Sequence, residues 1–156
     1  MNVQLKPSEI VIIASGVVAL VFSFFNWQDF PGGSWNAWDP DATLPLATYI
    51  PIIGVIMAGH IALSRLVGVS FPERVVSFTW GQIHLVLAVF AGLLAIGWLI
   101  IAEELAIGFW LTFVATIGLI VGAVMLFVEE QTSPRTAQAP PAPRPEPPQP
   151  PPSSSF

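Results

Sequence analysis

Cysteine is absent from the 156 residues of this chain, and cations are scarce, with only five Lys and Arg residues in total. The first absence excludes disulfide bonds, thiolate metal sites and cysteine nucleophiles. The second absence, together with a formal net charge of −5, leaves no basic patch that could bind phosphates. Nucleic acid is therefore excluded as a partner.

Charged residues of either sign are also few. They make up 10% of the chain, whereas hydrophobic residues make up 54%. An ordinary soluble domain has roughly a quarter of its residues charged. The composition is typical of a protein whose solvent is lipid, and we expect an all-α membrane protein with the bilayer as its main partner.

Four apolar segments each approach the roughly 20 residues that a helix needs to cross a bilayer. We predict spans at about residues 9–27, 44–66, 80–102 and 107–128. The first segment is followed by Asn26-Trp27-Gln28 and not by a small-residue cleavage site, which favours a retained span over a signal peptide. The predicted fold is a four-transmembrane-helix bundle over residues 9–128.

The orientation follows from the cations, because Lys and Arg near span ends stay in the cytoplasm. All five lie on one side of the predicted spans: Lys6, Arg65, Arg74, Arg135 and Arg144. The opposite side carries acidic residues and no cation: Asp29, Asp39, Asp41, Glu103 and Glu104. We therefore expect a multi-pass protein of the plasma membrane with both termini in the cytoplasm.

The chain changes character after the fourth span. Ten of the sixteen prolines lie between Pro134 and Pro152, a composition that cannot build a core. We predict a short cytoplasmic N-terminus at residues 1–8 and a disordered Pro-rich cytoplasmic tail at residues 129–156. The tail is either a solvated spacer or, through Arg144, Pro147 and Pro150, a polyproline ligand.

Two local patterns bear on the second and third helices. Pro51 lies inside the predicted second span, where its missing N–H predicts a kink. Ser70 followed by Glu73 forms a capping-box pattern, so the third helix or a short turn could begin there.

Ionisable groups inside a membrane often mark transport or proton relay. The predicted spans contain two histidines, His60 and His84, near the cytoplasmic ends of antiparallel helices. They could form a proton or metal site, but two His without a nearby carboxylate are a weak ligand set. We favour neutral, hydrogen-bonded interfacial histidines and predict no metal.

Small residues recur at helical spacing, most clearly as Gly118-x-x-x-Gly122 in the fourth span. Such stripes permit close contact between helices. We favour packing within one bundle, and the alternative is a self-association face that would make the chain a homo-oligomer.

The outer loop, residues 28–43, is rich in aromatic residues. Together with the end of the first span it contains Trp27, Trp35 and Trp38, and Trp favours the headgroup layer. An aromatic belt is the simplest interpretation. The alternative is a docking surface for a partner or ligand, lined by Asp29, Asp39 and Asp41. The aspartates of this loop lack the regular spacing and central Gly of a calcium loop.

No catalytic constellation is present. The chain has no Ser-His-Asp set, HExxH helix, phosphate-cradling glycine loop or paired intramembrane carboxylates. We therefore predict no enzyme, no catalytic residue and no cofactor. A lipid enzyme that uses Glu103 and Glu104 is a distant rival.

Two motifs carry a family resemblance. The segment Ser15–Phe25 begins with Ser-Gly and ends, with Trp27, in Ser-Phe-x-x-Trp, and the outer loop carries Asn36-Ala37-Trp38. This resembles small four-span integral membrane proteins of actinobacterial type that carry a Pro-rich C-terminal tail. In such proteins a Pro often precedes the Trp, where this chain has Asn26. The resemblance implies no activity, cofactor or catalytic residue.

The function that remains is contact with other molecules. We expect a non-catalytic protein of the cell envelope, a scaffold or accessory subunit that contacts other membrane or envelope proteins through its outer loop and inner tail. The alternative is an oligomeric channel or small transporter with His60, His84 and Pro51 near its pathway.

Overall fold

A computed structural model describes residues 4–42, 46–72 and 74–132, and it is mostly helical. The elements, in chain order, are helix α1 (Pro7–Phe22), strands β1 (Gln28–Phe30) and β2 (Gly33–Trp35), helix α2 (Tyr49–Ala62), a π-helical turn (Leu63–Val67), strands β3 (Arg74–Val75) and β4 (Phe78–Thr79), helix α3 (Trp80–Ile101) and helix α4 (Ile107–Thr132). The strands form two separate antiparallel hairpins, β1–β2 and β3–β4.

The helices form a bundle in which α1 lies between α2 and α4. Helix α3 packs against α4 and, less closely, against α2. Two apolar clusters fill the interior. One lies around Ile12, Met57 and Leu119, and the other lies around Trp27 and Trp98.

The outside of the bundle is apolar as well. Ile10, Val17, Val86, Val114 and Val121 are among the many large hydrophobic side chains exposed on the helices. Helices α3 and α4, and α2 together with its π turn, are long and apolar enough to cross a membrane. Helix α1 is apolar but shorter: its 16 residues rise about 24 Å, against about 30 Å of hydrocarbon.

The kink expected at Pro51 does not arise, because α2 begins later than predicted. The helix starts at Tyr49, so Pro51 lies in its first turn, where a missing N–H breaks no intrahelical bond. The Ala47 carbonyl, which a donor at position 51 would use, accepts from the Ile50 N–H at 3.0 Å. The irregular segment is at the other end of α2, where the π turn ends at Gly68 with φ of 78°.

The start of α3 lies at the predicted boundary, but the cap is not the predicted one. Helix α3 begins at Trp80, and Thr79 and Gln82 form its capping box. The Thr79 N–H donates to Gln82 Oε1 at 2.9 Å, and the Gln82 N–H donates to Thr79 Oγ1 at 3.3 Å. Residues 70–72 have no regular structure and residue 73 lies outside the described residues.

The fourth helix is longer than the predicted span. It continues to Thr132, so the first four residues of the predicted tail, 129–132, are helical. The remainder of the predicted disordered tail, residues 133–156, lies outside the described residues.

Close contacts between helices occur at glycines. A Cβ placed on Gly16 of α1 would lie 2.5 Å from the backbone oxygen of Gly54 on α2. On α4, a Cβ on Gly122 would lie 2.6 Å from Ile12 of α1, and a Cβ on Gly118 would meet Ser15 of α1. Both glycines of the Gly118-x-x-x-Gly122 motif thus face α1 within the same bundle.

Candidate functional site

The charged side chains of the described helices lie at one end of the bundle. This is the end where α1 and α3 begin and where α2 and α4 finish, and we call it the inner end. The residues that meet there form what we call the inner polar cluster: Lys6, Ser8, Glu9, His60, Ser64, Arg65, Trp80, His84, Glu129 and Glu130.

Glu9 is the buried centre of this cluster, with 4% of its surface exposed. Its Oε2 accepts from the Lys6 backbone N–H at 2.9 Å, which caps the first turn of α1. Its Oε1 accepts from Arg65 Nε at 2.8 Å and lies 2.7 Å from Arg65 Nη2. Arg65 belongs to the π turn, and its guanidinium therefore ties the end of α2 to the start of α1.

Glu129 and Glu130 lie at the end of α4, where a helix dipole disfavours negative charge. The structure supplies compensation from neighbouring helices. Ser8 Oγ, at the start of α1, donates to Glu129 Oε2 at 3.0 Å, and Lys6 Nζ lies 3.7 Å from the same oxygen. The Gly81 N–H, in the first turn of α3, donates to Glu130 Oε1 at 3.0 Å. Each carboxylate thus faces the positive end of an antiparallel helix.

The structure brings His60 and His84 together, with their ring centroids 5.1 Å apart in an edge-to-face arrangement. His60 also stacks on Trp80 at 3.8 Å and contacts Phe71 at 4.8 Å. His84 is 1% exposed. Within the described residues neither of its ring nitrogens has a hydrogen-bond partner, nor does Nδ1 of His60. The expectation of hydrogen-bonded histidines is therefore wrong for these three nitrogens, because both rings pack among aromatic rings.

A cavity of about 240 Å³ lies within the inner polar cluster. Cations and carboxylates line it together, including Lys6, Arg65, Glu9 and Glu130, along with His60. Among the described residues no group of three or more His, Asp or Glu side chains could hold a metal ion. The lining charges mostly neutralise one another, and this arrangement stabilises the helix ends.

Beyond the histidines the interior becomes apolar. Ile12, Met57, Ala88 and Leu119 belong to one buried cluster between the inner end and the middle of the helices. Farther along α4 the buried side chains of Thr112 and Thr116 are polar, but their hydroxyls donate to the Gly108 and Thr112 carbonyls of the same helix.

At the opposite end of the bundle, which we call the outer end, Trp27 is fully buried, with 0% of its surface exposed. Its Nε1 donates to the Phe22 carbonyl at 3.1 Å. Its ring meets the edges of Trp98 at 5.6 Å and Phe109 at 5.8 Å. Trp27 therefore offers no surface to a partner in this structure and instead fixes the end of α1 to α3 and α4.

The β1–β2 hairpin lies across the turn between α3 and α4. Gln28 pairs with Leu105 in an isolated bridge, and the Asp29 N–H donates to the Glu104 carbonyl at 3.1 Å. The Ala106 N–H donates back to the Trp27 carbonyl at 2.9 Å. These backbone bonds hold the hairpin in one position over the bundle.

The other two tryptophans of the loop are partly accessible. Trp35 is half-buried against Phe30, with ring centroids 4.6 Å apart. Trp38 is 38% exposed, stacks on Phe24 at 5.5 Å and donates from Nε1 to Ser23 Oγ at 2.9 Å. Trp35 and Trp38, unlike Trp27, keep surface that a lipid headgroup or a protein could contact.

The sequence patterns place Lys6, Arg65, His60 and His84 near the same ends of the predicted spans but do not predict that these residues meet around Glu9. One signal was available: Glu9, Glu129 and Glu130 are acidic residues next to the same span ends as the cations. A carboxylate among cations at one end of a bundle indicates ion pairing.

Comparisons with protein-family models, curated proteins and solved structures found no match to this chain.

Proposed function

We propose that this chain is a four-span integral membrane protein of the cell envelope that acts as a non-catalytic scaffold or accessory subunit. The observation that carries the proposal is the outer hairpin. Backbone hydrogen bonds fix it to the turn between α3 and α4, and binding to such a fixed surface avoids much of the entropy cost of ordering a loop.

The proposal counts α1 as a membrane span in addition to α2, α3 and α4. This helix packs between α2 and α4, both of which have the length and composition of membrane spans, the former with its π turn. In the proposed arrangement such a helix would lie at the same depth in the membrane as its neighbours. Its exposed Ile10, Val17 and Val21 would face lipid, and Phe24 and Phe25 extend its apolar surface beyond the last helical residue.

The proposed orientation places the inner end in the cytoplasm. Lys6, Arg65 and Arg74 lie at that end, and the acidic residues of the hairpin region lie at the other. This distribution agrees with the retention of Lys and Arg on the cytoplasmic side. Both termini would then be cytoplasmic.

A non-catalytic role is supported by the hydrogen bonds and ion pairs that the buried and partly buried carboxylates make. Glu9 is bound by Arg65 and by the Lys6 backbone, and Glu130 is bound by the Gly81 backbone. These carboxylates are used to hold helix ends together. The proposal also includes membership of the small four-span family. Two residues of its motifs in this chain contact each other, because Trp38 Nε1 of the outer loop donates to Ser23 Oγ after the end of α1.

A photo-crosslinking amino acid at Ser34, an exposed position of the hairpin, is expected to capture specific membrane or envelope proteins in cells. The same probe at Val114, on the apolar outside of α4, serves as the matched control and should capture mainly lipid. A chain that lacks residues 133–156 tests the contribution of the tail. The scaffold proposal would be contradicted if the probe at Ser34 captured no protein and deletion of the tail did not change the set of captured proteins.

The second candidate is an oligomeric channel or small transporter, favoured by the pairing of His60 and His84 beside the inner cavity. Because the cluster next to them in the interior is apolar and the buried hydroxyls of Thr112 and Thr116 are bonded within α4, such a pathway would run between copies of the chain. Proton or ion flux into proteoliposomes that is abolished by His60→Ala would favour this candidate over the scaffold.

A further inference from the structure

The connection between α2 and α3 is unusually apolar for a segment outside the bundle. Val69 is exposed in its first half, directly after the exposed Leu66 and Val67 at the end of the π turn. In its second half the β3–β4 hairpin exposes Val76 at 95% and Phe78 at 55%. Contiguous exposed apolar side chains mark a surface that contacts something other than water.

The turn of this hairpin has a β-branched residue at a backbone conformation that favours other residue types. Val75 pairs with Phe78, so Val76 and Ser77 form a two-residue turn. Such turns need a positive φ, which Gly, Asn or Asp adopt readily. Here Val76 has a φ of 62°, which is disfavoured for a β-branched residue. The valine makes the turn less stable, and because its side chain is 95% exposed, packing within the described chain does not compensate this cost.

The hairpin continues the exposed apolar surface of α3. Phe78 lines an apolar groove of about 200 Å³ together with Gln82, Ile83, Val86 and Leu87 of the first turns of that helix. Val86 is exposed on the outside of α3. The apolar surface therefore runs without interruption from the side of a membrane span to the hairpin.

We infer that the β3–β4 hairpin inserts Val76 and Phe78 into the boundary between headgroups and acyl chains of the cytoplasmic leaflet. This inference rests on the proposed four-span arrangement. We assign lipid as the molecule that covers this apolar surface, because the groove beside Phe78 opens onto the side of α3 that would face the bilayer. Arg74, exposed at the start of β3, is placed to meet lipid phosphates.

The absence of cysteine makes a direct test available. Single cysteines at Val76, Val86 and Ser34 are labelled with an environment-sensitive fluorophore, and the full chain is reconstituted in vesicles of phosphatidylcholine and phosphatidylglycerol. Nitroxide-labelled phosphatidylcholine quenches from within the lipid, and iodide quenches from water. For Val76→Cys we expect several-fold stronger quenching by a shallow nitroxide than for Ser34→Cys, and several-fold weaker quenching by iodide.

A label at Val76 that iodide reaches as readily as it reaches Ser34 would overturn the inference. So would protection from both quenchers, which would indicate contact with a second copy of the chain. Val86→Cys distinguishes failure of the hairpin insertion from failure of the proposed four-span arrangement. Strong quenching there by a deeper nitroxide, with none at Val76, rejects the hairpin insertion and leaves the spans intact, whereas lack of lipid quenching at Val86 rejects both.

A second pair of variants isolates the contribution of the valine. Val76→Asn suits the left-handed turn but removes the apolar side chain. A label on Ser77→Cys should be quenched less by the shallow nitroxide in the Val76→Asn background than with Val76 present. Equal quenching in both backgrounds would show that Val76 does not hold the hairpin in lipid.

Discussion

Replacement of Gly16 by leucine is expected to lower the free energy of unfolding by about 3 kcal/mol or more, at the upper end of the range for overpacked cores. A Cβ at this position would lie 2.5 Å from the Gly54 carbonyl oxygen and 2.8 Å from the Ala58 Cβ. Neither atom belongs to a flexible side chain that could turn away. Helix α2 would have to separate from α1, and the packing around Ile12 and Met57 would be lost with it.

The matched control for this change is Gly59→Leu on α2. A Cβ on Gly59 meets nothing within 4 Å, although this glycine lines the same groove between α1 and α2 as Gly16. Unfolding of both variants by SDS from mild detergent micelles, followed by circular dichroism, measures the difference. Equal loss of stability in the two variants would show that α1 and α2 do not approach closely at Gly16.

Loss of the Arg65 guanidinium is expected to be the second large effect. Arg65→Ala leaves the Glu9 carboxylate buried without its ion partner. Because the Arg65 side chain is 44% exposed, we expect a loss of about 2 to 3 kcal/mol, below the 3 to 5 kcal/mol typical of a fully buried pair. The end of α2 should also separate more readily from the start of α1.

Two companion variants define this interaction. Glu9→Gln keeps an acceptor for the Lys6 N–H but removes the charge, and combined with Arg65→Ala it should cost less than the sum of the single changes. Arg74→Ala removes another cation of the same connection and should change stability by less than about 0.5 kcal/mol. The same SDS unfolding experiment applies. Additive single effects would contradict a direct Glu9–Arg65 interaction.

The sequence predicts the helical class well because each apolar run is bounded by polar residues. The predicted starts at positions 80 and 107 coincide with those of α3 and α4. The ends of α1 and the start of α2 were less predictable. Helix α1 stops at Phe22, and the Ser23 hydroxyl and the Trp27 indole, which donate to the Leu20 and Phe22 carbonyls, replace helical bonds. The sequence remains hydrophobic as far as Phe25, so its pattern does not indicate that the helix ends at Phe22.

The inner polar cluster depends on contacts that sequence patterns do not encode. Glu9 and Arg65 are 56 positions apart, and Ser8 and Glu129 are 121 positions apart. Only the packing of α1 between α2 and α4 brings them together. The proximity of His60 and His84 was easier to anticipate, because both lie near the same ends of antiparallel helices.

The tryptophans of the outer loop show the same limit. Composition alone suggested one aromatic group, yet Trp27 is buried whereas Trp38 keeps an exposed face. The difference arises from the hairpin, which draws Trp27 onto Trp98 and Phe109. The pattern of polar and apolar residues in so short a loop does not indicate which tryptophan ring is buried.

The proposed four-span arrangement, with both ends in the cytoplasm, is tested by labelling single cysteines in intact cells with a membrane-impermeant thiol reagent. Because the native chain contains no cysteine, each signal from the protein has one source. We expect Ser34→Cys to be labelled in intact cells and Ser154→Cys to be labelled only after the cells are opened. Labelling of Ser154→Cys in sealed cells, with Ser34→Cys protected, would contradict it.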